Sequence, residues 1–203
     1  MLPGVPDPVD GLHAFIAARV PLSAGDWGTI RAAFQPSTLR RKSLYLRPGE
    51  TCDRLAFLAR GCLTASYTHD KAEVTTHIFV DGSFVADYYS YLTATASRQS
   101  IRAVQDCALL IADRRAVSGL YESVPVWERL GRMIAEDVYL CAHERTESLL
   151  HDTPEQRYLK LAKTQPDLLA RVPQYVIASY LGMTPETLSR IRGRSRPAAA
   201  AKS

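Results

Sequence analysis

No stretch of the sequence approaches 18 consecutive apolar residues, so no membrane-spanning helix is expected. Cysteine is sparse. The four present, Cys52, Cys62, Cys107 and Cys141, are widely scattered, form no CxxC pair and join no cysteine–histidine cluster. Zinc and iron–sulfur sites are therefore not indicated, and reduced cytosolic thiols are the expected state. The segment MLPGVPDPVD holds three prolines and two acids but no apolar core, so it does not read as a secretory signal. Catalytic motifs are missing too: there is no GxSxG, Walker A, GxGxxG or HExxH. A cupin-type metal site needs closely spaced histidines. His69 and His77 are eight apart with no HxH pair, and His13, His143 and His151 lie outside the strand-rich region. No enzyme, catalytic residue, metal or resident cofactor is expected.

What is present describes an ordinary globular chain. Its 203 residues are 46% apolar and 23% charged, enough for one large domain or two small ones. The net charge of +4 is unevenly spread. Residues 151–203 carry nine Lys and Arg against four Asp and Glu, while the rest carries sixteen against seventeen. A basic C-terminal module on a neutral body suits a polyanionic partner, but a solvated basic tail, with Arg192, Arg194, Arg196 and Lys202, explains the charge equally well.

Hydrophobic periodicity divides the chain into three parts. Residues 9–34 read as helix, broken near Pro21. Between about 38 and 112, short apolar or alternating runs are separated by turn signals such as Pro48-Gly49-Glu50, Arg60-Gly61 and Asp81-Gly82-Ser83. That pattern predicts a β-sandwich or barrel. Residues 125–150 predict one long helix opened by Pro125. Its apolar positions, including Trp127, Leu130, Met133, Ile134 and Val138, cover about half the cylinder, more than one neighbour needs. A two-fold dimer through this helix is expected, with Leu130 and Ile134 at the interface. Thr153-Pro154-Glu155-Gln156 is a capping box that starts another helix, which places a domain boundary near His151-Asp152.

The segment 174–191, QYVIASYLGMTPETLSRI, carries the functional signal. Ile177, Ala178, Leu181, Met183, Leu188 and Ile191 sit where two steeply crossing helices touch, and Gly182 allows the tight turn between them. Thr184 caps the second helix, Pro185 opens it, and Thr187 holds the capping-box position. Glu186, Ser189 and Arg190 share the face opposite Leu188. This pattern predicts a helix-turn-helix with a polar recognition helix. The plainer alternative is a structural helical hairpin.

On these residues the chain resembles the Crp/Fnr family of bacterial transcription regulators. The resemblance covers about residues 10–193. It is strongest in IASYLGMTPETLSRIR at 177–192, with LRPGE at 46–50, Gly61 and DGSF at 81–84 supporting it. It implies an α+β fold: an N-terminal cyclic-nucleotide-binding-type β-barrel or jelly roll at 1–124, a dimerisation helix at 125–150 and a helix-turn-helix domain at 151–203. It implies a cytoplasmic homodimer that regulates transcription on palindromic double-stranded DNA, with RNA polymerase as a partner. Glu186, Ser189 and Arg190 match the family's base-reading residues, and Thr184, Thr187 and Arg192 are expected near phosphates.

Two departures accompany the match. Where cyclic-AMP-binding members have Gly-Glu and then Arg-Ser, this chain has Ala86-Asp87 and Ser97-Arg98. Alanine crowds the phosphate, and Arg98 is one residue out of register, which turns a strand side chain to the other face. Asp87, Tyr88, Ser97 and Arg98 are the candidate ligand residues. Cyclic AMP is not the expected effector: the barrel senses an unknown small molecule or has lost sensing. Tyr88, Tyr89 and Tyr91 are candidate aromatic walls, against a plainer reading as an alternating run, half core and half surface. The second departure is the short tail SRPAAAAKS after the recognition helix: the strands that usually follow it are expected to be missing. The competing reading is a ligand-sensing or protein-interaction module that does not bind DNA.

Overall fold

The computed structural model describes residues 7–70 and 72–195. The first helices are α1 (Pro8–Ala17) and α2 (Ala24–Ala33), capped by Asp7 and Ser23. Eight strands follow: β1 (Gln35–Leu39), β2 (Leu44–Leu46), β3 (Arg54–Arg60), β4 (Cys62–His69), β5 (Ala72–Val80), β6 (Ser83–Val85), β7 (Gln99–Ala103) and β8 (Cys107–Asp113). They form two four-stranded sheets in the orders β1-β8-β3-β6 and β2-β7-β4-β5. Sequence reading located six of the strands. It missed β1, whose QPSTL carries little apolar alternation, and β6, only three residues long.

Side-chain alternation explains the two cores. On β3, Ala56 and Leu58 face one side and Phe57 the other; on β8, Leu109 and Leu110 divide in the same way. The first set meets Tyr45, Leu63, Phe79, Val85 and Ile101 between the sheets. The second set lies under helices, against Leu12, Ile16, Ile30, Val117, Leu120, Trp127 and Leu130.

One segment corrects the sequence reading. Tyr88–Thr93 is a helix, α3, and not an alternating run. Asp87 decides the local outcome, because its carboxylate accepts from the Ser90 N–H at 3.3 Å as an N-cap.

After β8 come α4 (Arg114–Ser123), capped by Asp113, and α5 (Pro125–His151), 27 residues long. The C-terminal helices are α6 (Pro154–Thr164), α7 (Pro166–Arg171), α8 (Gln174–Tyr180) and α9 (Pro185–Ser195). Both hydrogen bonds of the Thr153–Gln156 capping box are present. Leu130 is corrected as an interface residue. It is fully buried in the chain's own core, so it has no surface to offer a partner.

The described residues fall into two compact units. One comprises residues up to 67 with 76–138, and the other comprises 68–75 with 139 onwards. The division therefore passes within α5, and the tip of the β4–β5 hairpin groups with the C-terminal helices. No described helix is long and apolar enough to cross a membrane.

Candidate nucleic-acid interface and sensor residues

In the second unit, α8 and α9 form the predicted pair. Ala178 and Leu188 are fully buried, with Ile177, Leu181 and Ile191 close behind. A complete Schellman motif ends α8: the Met183 N–H donates to the Ala178 carbonyl at 3.0 Å and the Gly182 N–H to the Ser179 carbonyl at 3.1 Å. The motif needs a left-handed residue, and Gly182 supplies it at φ +64°. A side chain that sequence reading missed holds the turn. The Arg157 guanidinium donates to the carbonyls of Leu181 (2.6 Å), Asp152 (2.6 Å) and Gly182 (3.3 Å).

Thr184 starts α9. Its hydroxyl accepts from the Thr187 N–H at 3.2 Å, and the two threonine hydroxyls are joined at 3.2 Å. Glu186, Ser189 and Arg190 are all exposed, as is Thr184, while Thr187 and Arg192 are half-buried. The helix therefore presents the Glu186-Ser189-Arg190 face to solvent and Leu188 and Ile191 to its own domain. The Glu186 carboxyl is held below the ordinary glutamate range by its own backbone N–H and then by Thr184. It is an ionised acceptor at neutral pH. Arg194 is exposed on the last turn, whereas Arg196 and Lys202 lie outside the described residues. A cavity of about 440 Å³ lies elsewhere in the same unit, lined by Cys141, Arg145, Asp152, Arg157, Lys160 and Tyr180 among others. It includes none of the recognition-face residues.

In the first unit, the sequence candidates do not form one open pocket wall. Asp87 and Ser97 are both buried, and the Ser97 hydroxyl donates to the Asp87 carboxylate at 2.6 Å. The Ser97 backbone is also engaged: its carbonyl accepts from the Gly49 N–H at 2.7 Å and its N–H donates to the Glu50 carbonyl at 2.8 Å. The LRPGE loop is thus tied to this serine. Ser90 accepts from the Cys52 N–H at 2.9 Å and donates to the Thr95 carbonyl at 2.5 Å. Arg98 is exposed, on the other side of the chain from Ser97. Tyr88 is half-buried and Tyr89 points into solvent. Tyr91 packs beneath the Arg114 guanidinium, 4.4 Å from its ring centre.

Residues 36–124 match the family model described as "Cyclic nucleotide-binding domain". No curated protein sequence matches the chain. Solved structures do. CooA from Carboxydothermus hydrogenoformans, as a double mutant, is similar with TM-score 0.69 and 16% identity, over 88% of this chain and 81% of that one. The c-di-GMP-responsive global regulator CLP from Xanthomonas campestris gives 0.67 and 17%, over 85% and 91%. The catabolite activator protein of Thermus thermophilus gives 0.54 and 20%, over 93% and 86%. The α+β chain therefore shares the fold of these structures, with residues 36–124 matching the cyclic nucleotide-binding domain model.

Proposed function

We propose that the protein is a sequence-specific, DNA-binding transcription regulator of Crp/Fnr type, acting as a homodimer on a palindromic operator. The observation that carries this reading is the exposed Glu186-Ser189-Arg190 face on a helix whose other side is buried through Leu188 and Ile191. A purely structural hairpin has no use for that arrangement. In this reading α9 enters the major groove. Arg190 donates to guanine O6 and N7, the ionised Glu186 accepts from cytosine N4, and Ser189 contacts the adjacent base. Thr187, Arg192 and Thr184 lie beside the phosphates, although the Thr184 hydroxyl already serves the helix cap. No residue is assigned a catalytic role.

The functional division is 1–124 sensor, 125–150 dimerisation helix and 151–203 DNA-binding domain. Support for dimerisation comes from apolar residues that α5 leaves outside its own core: Val138, Tyr139, Leu140 and Leu150 are 39%, 67%, 52% and 73% exposed. The location is cytoplasmic, and RNA polymerase is the expected protein partner. Any effector is unidentified. Cyclic AMP is disfavoured because Asp87 and Ser97, the buried candidates, satisfy each other, while the only arginine among the four candidates, Arg98, faces solvent.

The test is selection of random duplex DNA by the purified protein, followed by sequencing of the retained fragments. Enrichment of a two-fold symmetric motif, shifted in a gel where scrambled DNA is not, supports the reading. Absence of any enriched motif favours the competing sensing or protein-interaction module.

A further inference from the structure

Within the second unit, three distant chain segments meet behind the helix-turn-helix. The Ser179 hydroxyl, on α8, accepts from the Thr75 N–H at 2.8 Å and donates to the Glu73 carbonyl at 3.0 Å. It thus serves both a donor and an acceptor of the β4–β5 hairpin tip. From α5, Arg145 donates to the Thr75 carbonyl at 2.9 Å and, through its other terminal nitrogen, to the Tyr180 carbonyl. The guanidinium also lies 4.5 Å over the Tyr180 ring centre. Thr75 is buried, so its N–H and carbonyl depend on these partners.

We propose that Arg145 and Ser179 are positioning residues for the recognition helix, acting as a latch between the hairpin tip, α5 and the end of α8. The proposal rests on the DNA-binding reading above. The latch leaves Glu186, Ser189 and Arg190 exposed, so it does not mask the reading face. It grips Ser179 and Tyr180 immediately before the Schellman turn, and that turn, braced by Arg157, carries the hold on to α9. A dimer on a palindrome must present two recognition helices about 34–36 Å apart. Freedom of either helix then costs affinity for the full site, whereas a single half-site makes no demand on their relative placement.

The experiment compares the full-length wild type with Ser179→Ala, Arg145→Gln and the conservative Ser179→Thr. Hydrogen exchange of the DNA-free proteins is followed across 72–75 and 174–182. Binding is titrated at fixed salt on the selected palindrome and on one half-site. Ser179→Ala and Arg145→Gln should speed exchange in both segments. They should weaken full-site binding about tenfold, the worth of roughly one net hydrogen bond. Half-site binding should change by about twofold or less, and Ser179→Thr should restore the wild-type behaviour. Unchanged exchange overturns the latch. Equal losses on the two DNAs overturn the positioning role and leave only a structural contact. A wild type that binds neither DNA overturns the DNA-binding reading and the positioning role with it, while the exchange comparison still decides whether the latch exists.

Discussion

Two glycines show how a single position can be required for different reasons. At Gly182 (φ +64°), a Cβ would meet the Leu149 Cδ2 at 2.8 Å, but a leucine end can move aside. The cost of Gly182→Ala is therefore mainly that of a left-handed alanine, about 1–2 kcal/mol. At Gly61 (φ +123°), a Cβ would lie 2.6 Å from the Cys107 Sγ and 2.9 Å from the Asp106 carbonyl oxygen. Backbone cannot yield so easily, so Gly61→Ala should cost roughly 3 kcal/mol or more. Urea melts of both variants check the order, and equal losses would mean that the 61–62 corner can rearrange. Arg190 is the corresponding test on the surface. A bidentate arginine–guanine pair is worth about 1–3 kcal/mol of discrimination, so Arg190→Ala should lower specific binding roughly 5- to 150-fold with much less effect on scrambled DNA. Equal weakening of both would make this arginine a phosphate clamp. Thr153, Gly182 and Thr184 were legible in the sequence because caps and turns use few residue types at fixed offsets. Arg145 and Arg157 were not, because long side chains donating to carbonyls 24 to 70 residues away leave no local pattern.

At the scale of elements, periodicity found the long helix but could not say which side of it the protomer itself covers. Period alone gives the broad apolar face as one surface. In the structure its first half is core, with Trp127 and Leu130 buried, and the exposed apolar residues begin later, at Val138. Helix α3 shows the converse limit: six residues are too few for a period, and a capping aspartate settled what the tyrosines could not. The dimer test moves accordingly. Val138→Glu places a charge on an apolar side chain that the chain leaves 39% exposed, so it should give folded monomers that bind the palindrome poorly. Leu130→Ala should instead lower stability by about 2–5 kcal/mol and leave the association state unchanged. Sedimentation read beside thermal melts separates the two. A Val138→Glu variant that still sediments as a dimer would place the interface elsewhere.

Across the whole molecule, the strand-rich body and the C-terminal helix pair were both legible, because one is a matter of turn punctuation and the other of caps, a turn glycine and small or apolar residues at fixed offsets. The interior chemistry of the barrel was legible only as a mismatch with a family pattern. The structure gives that mismatch a physical form. A ligand phosphate competes for donors, and here the Ser97 hydroxyl is committed to the Asp87 carboxylate at 2.6 Å. An incoming anion would have to displace that carboxylate and remain beside a negative charge. Arg98, which could have neutralised it, is exposed. The phosphate therefore lacks the charge-assisted hydrogen bonds that would offset its desolvation. Calorimetry of the full-length protein with cyclic AMP, and separately with cyclic GMP, should show no saturable heat even at high micromolar nucleotide. Replacing Asp87 with Asn removes the repulsion but supplies no cation, so it should not create tight binding either. Sub-micromolar affinity in the wild type would require the Asp87–Ser97 pair to open and Arg98 to turn inward, and would overturn this account of the first unit.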